Sequence, residues 1–412
     1  MAESPAATPA ANPLENAALL ANPYPFYAAL RQNNPVFRVP LPAESGAGVW
    51  ALTRFADVEW ALRDRRFSVE RERADVARLY ADRLPRNFLG GPQGLRTMLI
   101  MDPPDHTRVR GLVSKAFTPR RVAQLAPRLE KLVHELLDAA LADGPGFDVI
   151  HDLAEPLPAI VIAELLGIPA QDHRRFKSWS TRLIELLPQL TAGGAQAFEA
   201  QAEQILGYLR DAIARRRADP GPDLISAMIE AQEERDALTD QELLSTSFLL
   251  LLAGHETTTN LIGNGTLALL RHPDQLERLR AEPALLENAV EELLRYDSPV
   301  QVTVRIPVEE VEVGGHPIGA GALVVCGIGA ANRDPAANPE PDRLDVARAE
   351  PRHLSFGTGA HFCLGAALAR LEGRAAFGAL LARCPSLRLA SEAVSYRPNL
   401  ALRGLRALPV AG

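Results

Sequence analysis

Two stretches of this chain hold residues able to do chemistry at fixed offsets. The first runs His353-Leu-Ser-Phe356-Gly357-Thr-Gly359-Ala-His361-Phe-Cys363-Leu-Gly365. Three glycines, an aromatic ring and a histidine surround one cysteine. Glycine permits positive φ and lets the backbone approach a flat ligand closely. A helical run starting at Ala366 puts Cys363 at a helix N-terminus, where the dipole and free N–H groups favour a thiolate. A low-pKa cysteine on a rigid turn suits a metal ligand or a nucleophile; outside such a frame a lone cysteine is usually a buried structural one. The second stretch is Ala253-Gly254-His255-Glu256-Thr257-Thr258. Glycine and three consecutive threonines are poor helix formers within a strong helix. A carboxyl beside a hydroxyl can relay protons. The plain alternative is threonines bonding back to helix carbonyls, with Glu256 in solvent. A zinc site of the His-Glu-x-x-His type fails, because residue 259 is threonine.

Three weaker signals accompany these. Glu292 and Arg295 stand three apart on one helix face, the spacing of an ordinary surface ion pair. His106 and Arg110 are four apart at the start of another helix and together suit an anion. Arg305 lies within a strand, and Arg343 within an irregular Pro/Asp-rich segment, Ala331 to Arg348.

The elements that must position these residues are mostly helical. Apolar spacing predicts helices over Arg120–Ala142, Pro158–Leu166, Ala195–Arg217 and Ala366–Ala382. A long helix begins at a capping box, Thr239 with Glu242, and runs to His272-Pro273. At 1.5 Å per residue it spans about 48 Å. Strand signals are Val302–Val308, a hairpin around Gly314-Gly315, and Leu323–Cys326. The fold class expected is mainly α with a small β-rich lobe. A disordered Ala/Pro-rich tail over residues 1–12 would precede a single domain over 13–412.

Composition excludes several classes. The 412 residues carry a net charge of −7, which leaves no face-wide basic surface for nucleic acid. Only three of the 44 basic residues are lysine (Lys115, Lys131, Lys177), a bias read as a GC-rich genome. Three cysteines, Cys326, Cys363 and Cys384, are too few and too far apart for a disulfide framework and fit a reducing cytoplasm. Neither a signal peptide nor an apolar run of membrane-spanning length is present.

The cysteine frame resembles the haem-binding loop of the cytochrome P450 superfamily at nearly every fixed position. Asn22–Tyr27 and Phe55–Glu59 resemble its soluble bacterial members. The resemblance implies a P450-like fold, a long central helix over the haem, and haem b as cofactor. It makes Cys363 the axial iron ligand, whose thiolate favours O–O cleavage. Phe356 shields the sulfur and Gly365 lets the haem approach. His361, His106, Arg110 and Arg305 meet the propionates, while His353 only packs near the loop. Glu256 and Thr257 become the oxygen-activation pair, and Glu292, Arg295 and Arg343 a structural network. A substrate pocket is expected from Leu249, Ala253, Val300 and Leu400, with residues 86–95, 183–190 and 301–302, and a mobile entrance at Gly90-Gly91. The activity implied is O2-dependent hydroxylation or epoxidation of an apolar small molecule (terpenoid, steroid, fatty acid or polyketide-like). Electrons would come from a ferredoxin and an NAD(P)H-dependent ferredoxin reductase, docking at Arg108, Lys115 and Arg374. A cytoplasmic monomer is expected. A haem isomerase, dehydratase or NO reductase is disfavoured by the intact Glu256-Thr257 pair, and a haem sensor would not need it.

Overall fold

The structure is a computed structural model that describes residues 16–39, 48–79, 95–142, 144, 146–186, 194–233 and 238–412. The expected tail, the entrance glycines, residues 86–94 and residues 187–190 lie outside the described residues.

The long helix forms where expected, over Asp240–Arg271. Thr239 Oγ1 accepts from the Glu242 N–H at 3.1 Å, and the Glu242 carboxylate accepts from the Thr239 N–H at 2.8 Å. Its end follows from Pro273, whose ring disfavours helical backbone at His272 and then starts the next helix, Pro273–Ala281. Every residue from Thr258 to Leu269 is buried. Gly265 lets the Phe377 ring of the helix Ala366–Arg383 lie where a Cβ would stand 2.5 Å from it. A side chain at that position would push apart the two helices that carry the candidate chemistry.

The β lobe is built over long sequence distances. Strands β1 (Val36–Val39), β2 (Val49–Leu52), β3 (Phe67–Ser68), β5 (Val302–Pro307) and β8 (Leu323–Gly327) form one sheet in the order β1-β2-β8-β5-β3. β2 pairs parallel with β8, and β5 antiparallel with β8, Arg305 opposite Val324. β6 (Val311–Val313) and β7 (His316–Ile318) make the expected hairpin. β10 (Pro409–Ala411) lies between β4 (Gly146–Asp148) and β9 (Arg388–Leu389). Helix boundaries shift modestly: Arg120–Ala142 divides into Pro119–Ala123 and Ala126–Leu141. Between β4 and the helix Pro156–Leu165, residues Val149–Ala154 wind as a single π turn.

Arg295 and Glu292 on the helix Leu286–Tyr296 organise the irregular segment before the cysteine loop. Both side chains have 0% exposure, and their two contacts measure 2.6 and 2.8 Å. Arg295 also donates to the carbonyls of Pro341 (2.7 Å), Arg343 (3.1 Å) and Asn332 (3.3 Å). The third member of this network is Arg348, whose Nε meets Glu292 at 3.1 Å. Arg343 was expected there, and this is corrected: its guanidinium is exposed beside Glu340, and only its carbonyl takes part. The segment is a run of turns rather than a helix or strand, so side-chain direction there follows no period and the arginine the resemblance pointed to faces outward. Asn332 extends the network, accepting from the Leu354 N–H at 2.8 Å and donating to Ser355.

Removing one partner of a buried pair strands the other charge. Glu292→Ala should therefore cost about 3–5 kcal/mol of unfolding free energy. Arg343→Ala should stay within about 0.5 kcal/mol of wild type. Denaturant unfolding of the two variants checks both values.

Candidate active site

The cysteine loop is a hydrogen-bonded turn. The Cys363 N–H donates to the Phe356 carbonyl at 2.8 Å, and the Gly357 N–H to that of Leu354 at 2.8 Å. Gly359 has φ +72°, and a Cβ there would stand 3.0 Å from the Leu62 carbonyl oxygen. The Phe356 ring is buried beneath the Arg370 guanidinium, 4.5 Å from its centroid. Arg370 is fixed by a bidentate pair with Glu291 at 2.6 and 2.7 Å, and His353 adds a third contact at 3.1 Å. Burial alone would raise the Glu291 carboxyl, but Arg370 and His353 outweigh it and hold it at about 2.

Cys363 is open to solvent on one side, while protein surrounds its sulfur on the others. This surrounding burial raises its pKa, and the Gly365 N–H, Arg110 and Arg370 only partly oppose that. The expected low-pKa thiol is corrected accordingly: loss of solvation outweighs the helix N-terminus. A thiol kept protonated by desolvation still gives up its proton to a metal cation.

Four basic groups converge beside this loop. His106 and His361 stack with ring centroids 4.1 Å apart. Arg110 donates to the Phe362 carbonyl and so ties the helix Asp105–Ala116 to the loop. Arg305 is buried on β5 and donates to its neighbour's carbonyl, Val304, at 2.8 Å. Burial, with His106, Arg305 and Arg110, pushes His361 down to about 3, so it is neutral at physiological pH. Asp102 lies close enough to act on His106 and Arg305, but it accepts from Ser68 Oγ and from the Val69 N–H at 3.0 Å.

On the long helix, Leu249, Ala253 and Thr257 are spaced i, i+4, i+8 and share one face. That face is partly open to solvent, whereas His255, Glu256 and everything from Thr258 to Leu269 are buried. Thr257 Oγ1 donates back to the Ala253 carbonyl at 3.0 Å. Glu256 is not in solvent. It is 3% exposed and accepts from Arg397 Nη1 at 3.0 and 3.2 Å. His255 is buried against Ser180 at 3.3 Å, and burial lowers its pKa. Behind this face, Glu372 is fully buried with one hydrogen bond from Thr258, and desolvation pushes it up to about 8.

The other expected pocket residues are more scattered. Val300 bridges to Leu402, and Leu400 is 39% exposed. Leu95 and Leu183 are buried in the core. Of the expected docking cations, Arg108 is engaged by Glu242, the cap of the long helix, and Arg374 faces Glu287 at 3.4 Å. Arg397, Arg348, Asn332 and Glu372 were missed. Arg397 lies 141 residues from Glu256, so no local spacing could link them.

A flat, iron-bearing group with two carboxylates fits these residues. His106 Nε2 is buried with no hydrogen-bond partner among the described residues. A Cβ on Gly365 would meet nothing within 4 Å, which leaves a clear face beside Cys363. The cytochrome P450 family profile matches residues 80–388, and the chain belongs to that family. It is an oxidoreductase of the P450 monooxygenase type, and its cofactor is haem b. It is 44% identical over 395 residues to the vitamin D(3) 25-hydroxylase of Pseudonocardia autotrophica, covering 94% of this chain and 93% of the relative. It is also 44% identical over 396 residues to the cytochrome P450 monooxygenase PikC of Streptomyces venezuelae, covering 95% and 91%. Among solved structures it resembles a myxobacterial cytochrome P450, CYP267B1, in complex with myristic acid. That match has TM-score 0.87 and 38% identity, covering 97% of this chain and 99% of the other. The match supports the P450-like fold read from the sequence. Among the described residues no helix is long and apolar enough to cross a membrane.

The two loop glycines should separate by experiment. Gly359→Ala should destabilise the protein by about 1 kcal/mol or more, because its left-handed φ and the Leu62 carbonyl both oppose a Cβ. Gly365→Val should leave the unfolding midpoint of the haem-free protein nearly unchanged but lower Soret absorbance per mole of purified protein.

Proposed function

We propose that this chain is a haem-thiolate monooxygenase that inserts one atom of O2 into an apolar small molecule. In this reading Cys363 is the axial ligand. His106, Arg110, His361 and Arg305 hold the two propionates, and Gly365 gives the haem face its clearance. Bound there, haem supplies the O2-activating chemistry. The observation that carries the reading is the partly open face Leu249-Ala253-Thr257 of the long helix, which lies immediately before a run, Thr258 to Leu269, that is buried throughout. Its apolar part positions the substrate, and its hydroxyl is the group through which protons arrive.

Thr257 spends its hydroxyl proton on the Ala253 carbonyl, which leaves its oxygen lone pairs directed to the open face. Glu256, one residue earlier, takes up a proton from solvent and passes it to that oxygen, and Arg397 holds the ionised carboxylate in place between turnovers. In this reading the Phe356 ring, held beneath Arg370, shields the sulfur. Glu292, Arg295 and Arg348 hold the segment that leads into the loop.

For substrate, the aliphatic Leu249 and Ala253 together with Val300 and Leu400 favour a terpenoid, steroid, fatty acid or polyketide-like molecule. The names of the relatives point the same way: one hydroxylates vitamin D(3) and another was solved with myristic acid. Electrons come from a ferredoxin and an NAD(P)H-dependent ferredoxin reductase. Of the expected docking cations, the exposed Lys115 and the partly exposed Arg374 suit an acidic partner.

The test is the CO difference spectrum of the reduced protein beside that of Cys363→Ser. A strongly red-shifted Soret band is expected, and its loss in the variant. A short-wavelength band in folded wild type would rule out thiolate ligation. With a substrate found by spin-shift screening, Thr257→Ala should give several-fold less product per NAD(P)H consumed while NAD(P)H consumption continues.

A further inference from the structure

Arg397 is shared between two buried carboxylates. Its Nη1 meets Glu256 at 3.0 and 3.2 Å, while its Nη2 meets Glu155 at 2.6 Å. Glu155 also takes Lys177 Nζ at 2.7 Å and His151 Nδ1 at 3.3 Å. Side-chain exposure rises along this series, from 4% at Glu256 and 9% at Glu155 to 30% at Lys177 and 55% at His151. The cluster therefore connects the acid on the long helix to the surface.

Local structure aims Glu155 at this place. It precedes Pro156, at a helix N-terminus where a carboxylate would ordinarily cap free N–H groups, yet its side chain makes no capping bond. Its own N–H closes the π turn onto the Ile150 carbonyl at 2.9 Å. The next carbonyl back, Ala154, accepts from Thr259 Oγ1 of the long helix at 2.9 Å. The turn is thus pinned two residues beyond Thr257, and π turns of this kind gather at functional sites.

The physical consequence concerns competition. Short charge-assisted bonds are the stronger ones, and low surrounding polarity strengthens them further. Glu155 is the tighter of Arg397's two partners. An arginine serving Glu256 alone would hold that carboxylate fast and keep it from Thr257.

We propose that Glu155 is a positioning residue for Glu256: it competes for Arg397, and Lys177 and His151 set from the surface how strongly it competes. This rests on the reading of Glu256 as the proton donor to Thr257.

Two measurements on the haem-loaded protein test it. In thermal unfolding, the double variant Glu155→Gln/Glu256→Gln should lose more in Tm than the sum of the two single variants, because only the double variant leaves Arg397 with neither carboxylate. Additive losses would overturn the sharing. In air, NAD(P)H consumption driven by a surrogate ferredoxin and its reductase, with no organic substrate added, should show a solvent deuterium isotope effect. That effect should rise at least about twofold in Glu155→Gln, as a slowed proton step requires. It should not rise in Lys177→Met, where Glu155 grips Arg397 harder. A rise in Lys177→Met, or no rise in Glu155→Gln while Glu256→Gln raises it, overturns the proposal. No rise in Glu256→Gln itself overturns the proton-donor reading and this proposal together, a pattern distinct from the other two.

Discussion

A guanidinium at zero exposure is the constraint on which the cysteine loop depends. Arg295 has left water completely. Its donors must all be met by protein, since an unpaired buried charge costs several kcal/mol. Glu292 satisfies part of it, and the carbonyls of Asn332, Pro341 and Arg343 satisfy more. Those carbonyls belong to a stretch with little helix or strand of its own, which would otherwise have few reasons to adopt one path. The charge supplies that reason. It draws the stretch onto the helix Leu286–Tyr296, and Asn332 and Ser355 carry the fixing on into the loop.

The same principle recurs with a different outcome on the other side of the site. At Glu292 the partners are complete, and the result is rigidity. At Glu256 the arginine is divided with Glu155, and the result is a carboxylate held less exclusively. The loop cysteine is a third case. Its surroundings raise its pKa, and the Gly365 N–H, Arg110 and Arg370 oppose that only in part.

Much of this was legible in sequence because it is local. The capping box at Thr239, the stop at His272-Pro273, the Gly314-Gly315 hairpin and the cysteine frame each lie within a few residues, where capping, proline geometry and glycine φ act. The frame also carried the family. What sequence did not carry is long-range pairing. β2 joins β8 across more than 270 residues, with no pattern in Val49–Leu52 to announce its partner. Arg348 replaces Arg343 because side-chain direction in an irregular segment follows no period. The thiol pKa was misjudged for a related reason: the helix terminus is visible in sequence, but the desolvation that outweighs it comes from residues folded around the loop.

Arg397 belongs to the segment Tyr396–Leu405, which packs along the long helix, with Gly404 against Asn260 and the Arg403 carbonyl bonded to Asn264. A ribosome releases Glu256 long before this segment. During synthesis the long helix therefore carries an acid in a place prepared for burial, with its countercharge still to come, and burying it early would cost what burying a lone charge costs. Closure of the site is thus a long-range event in the life of each new chain, set by the arrival of Arg397 well after Glu256.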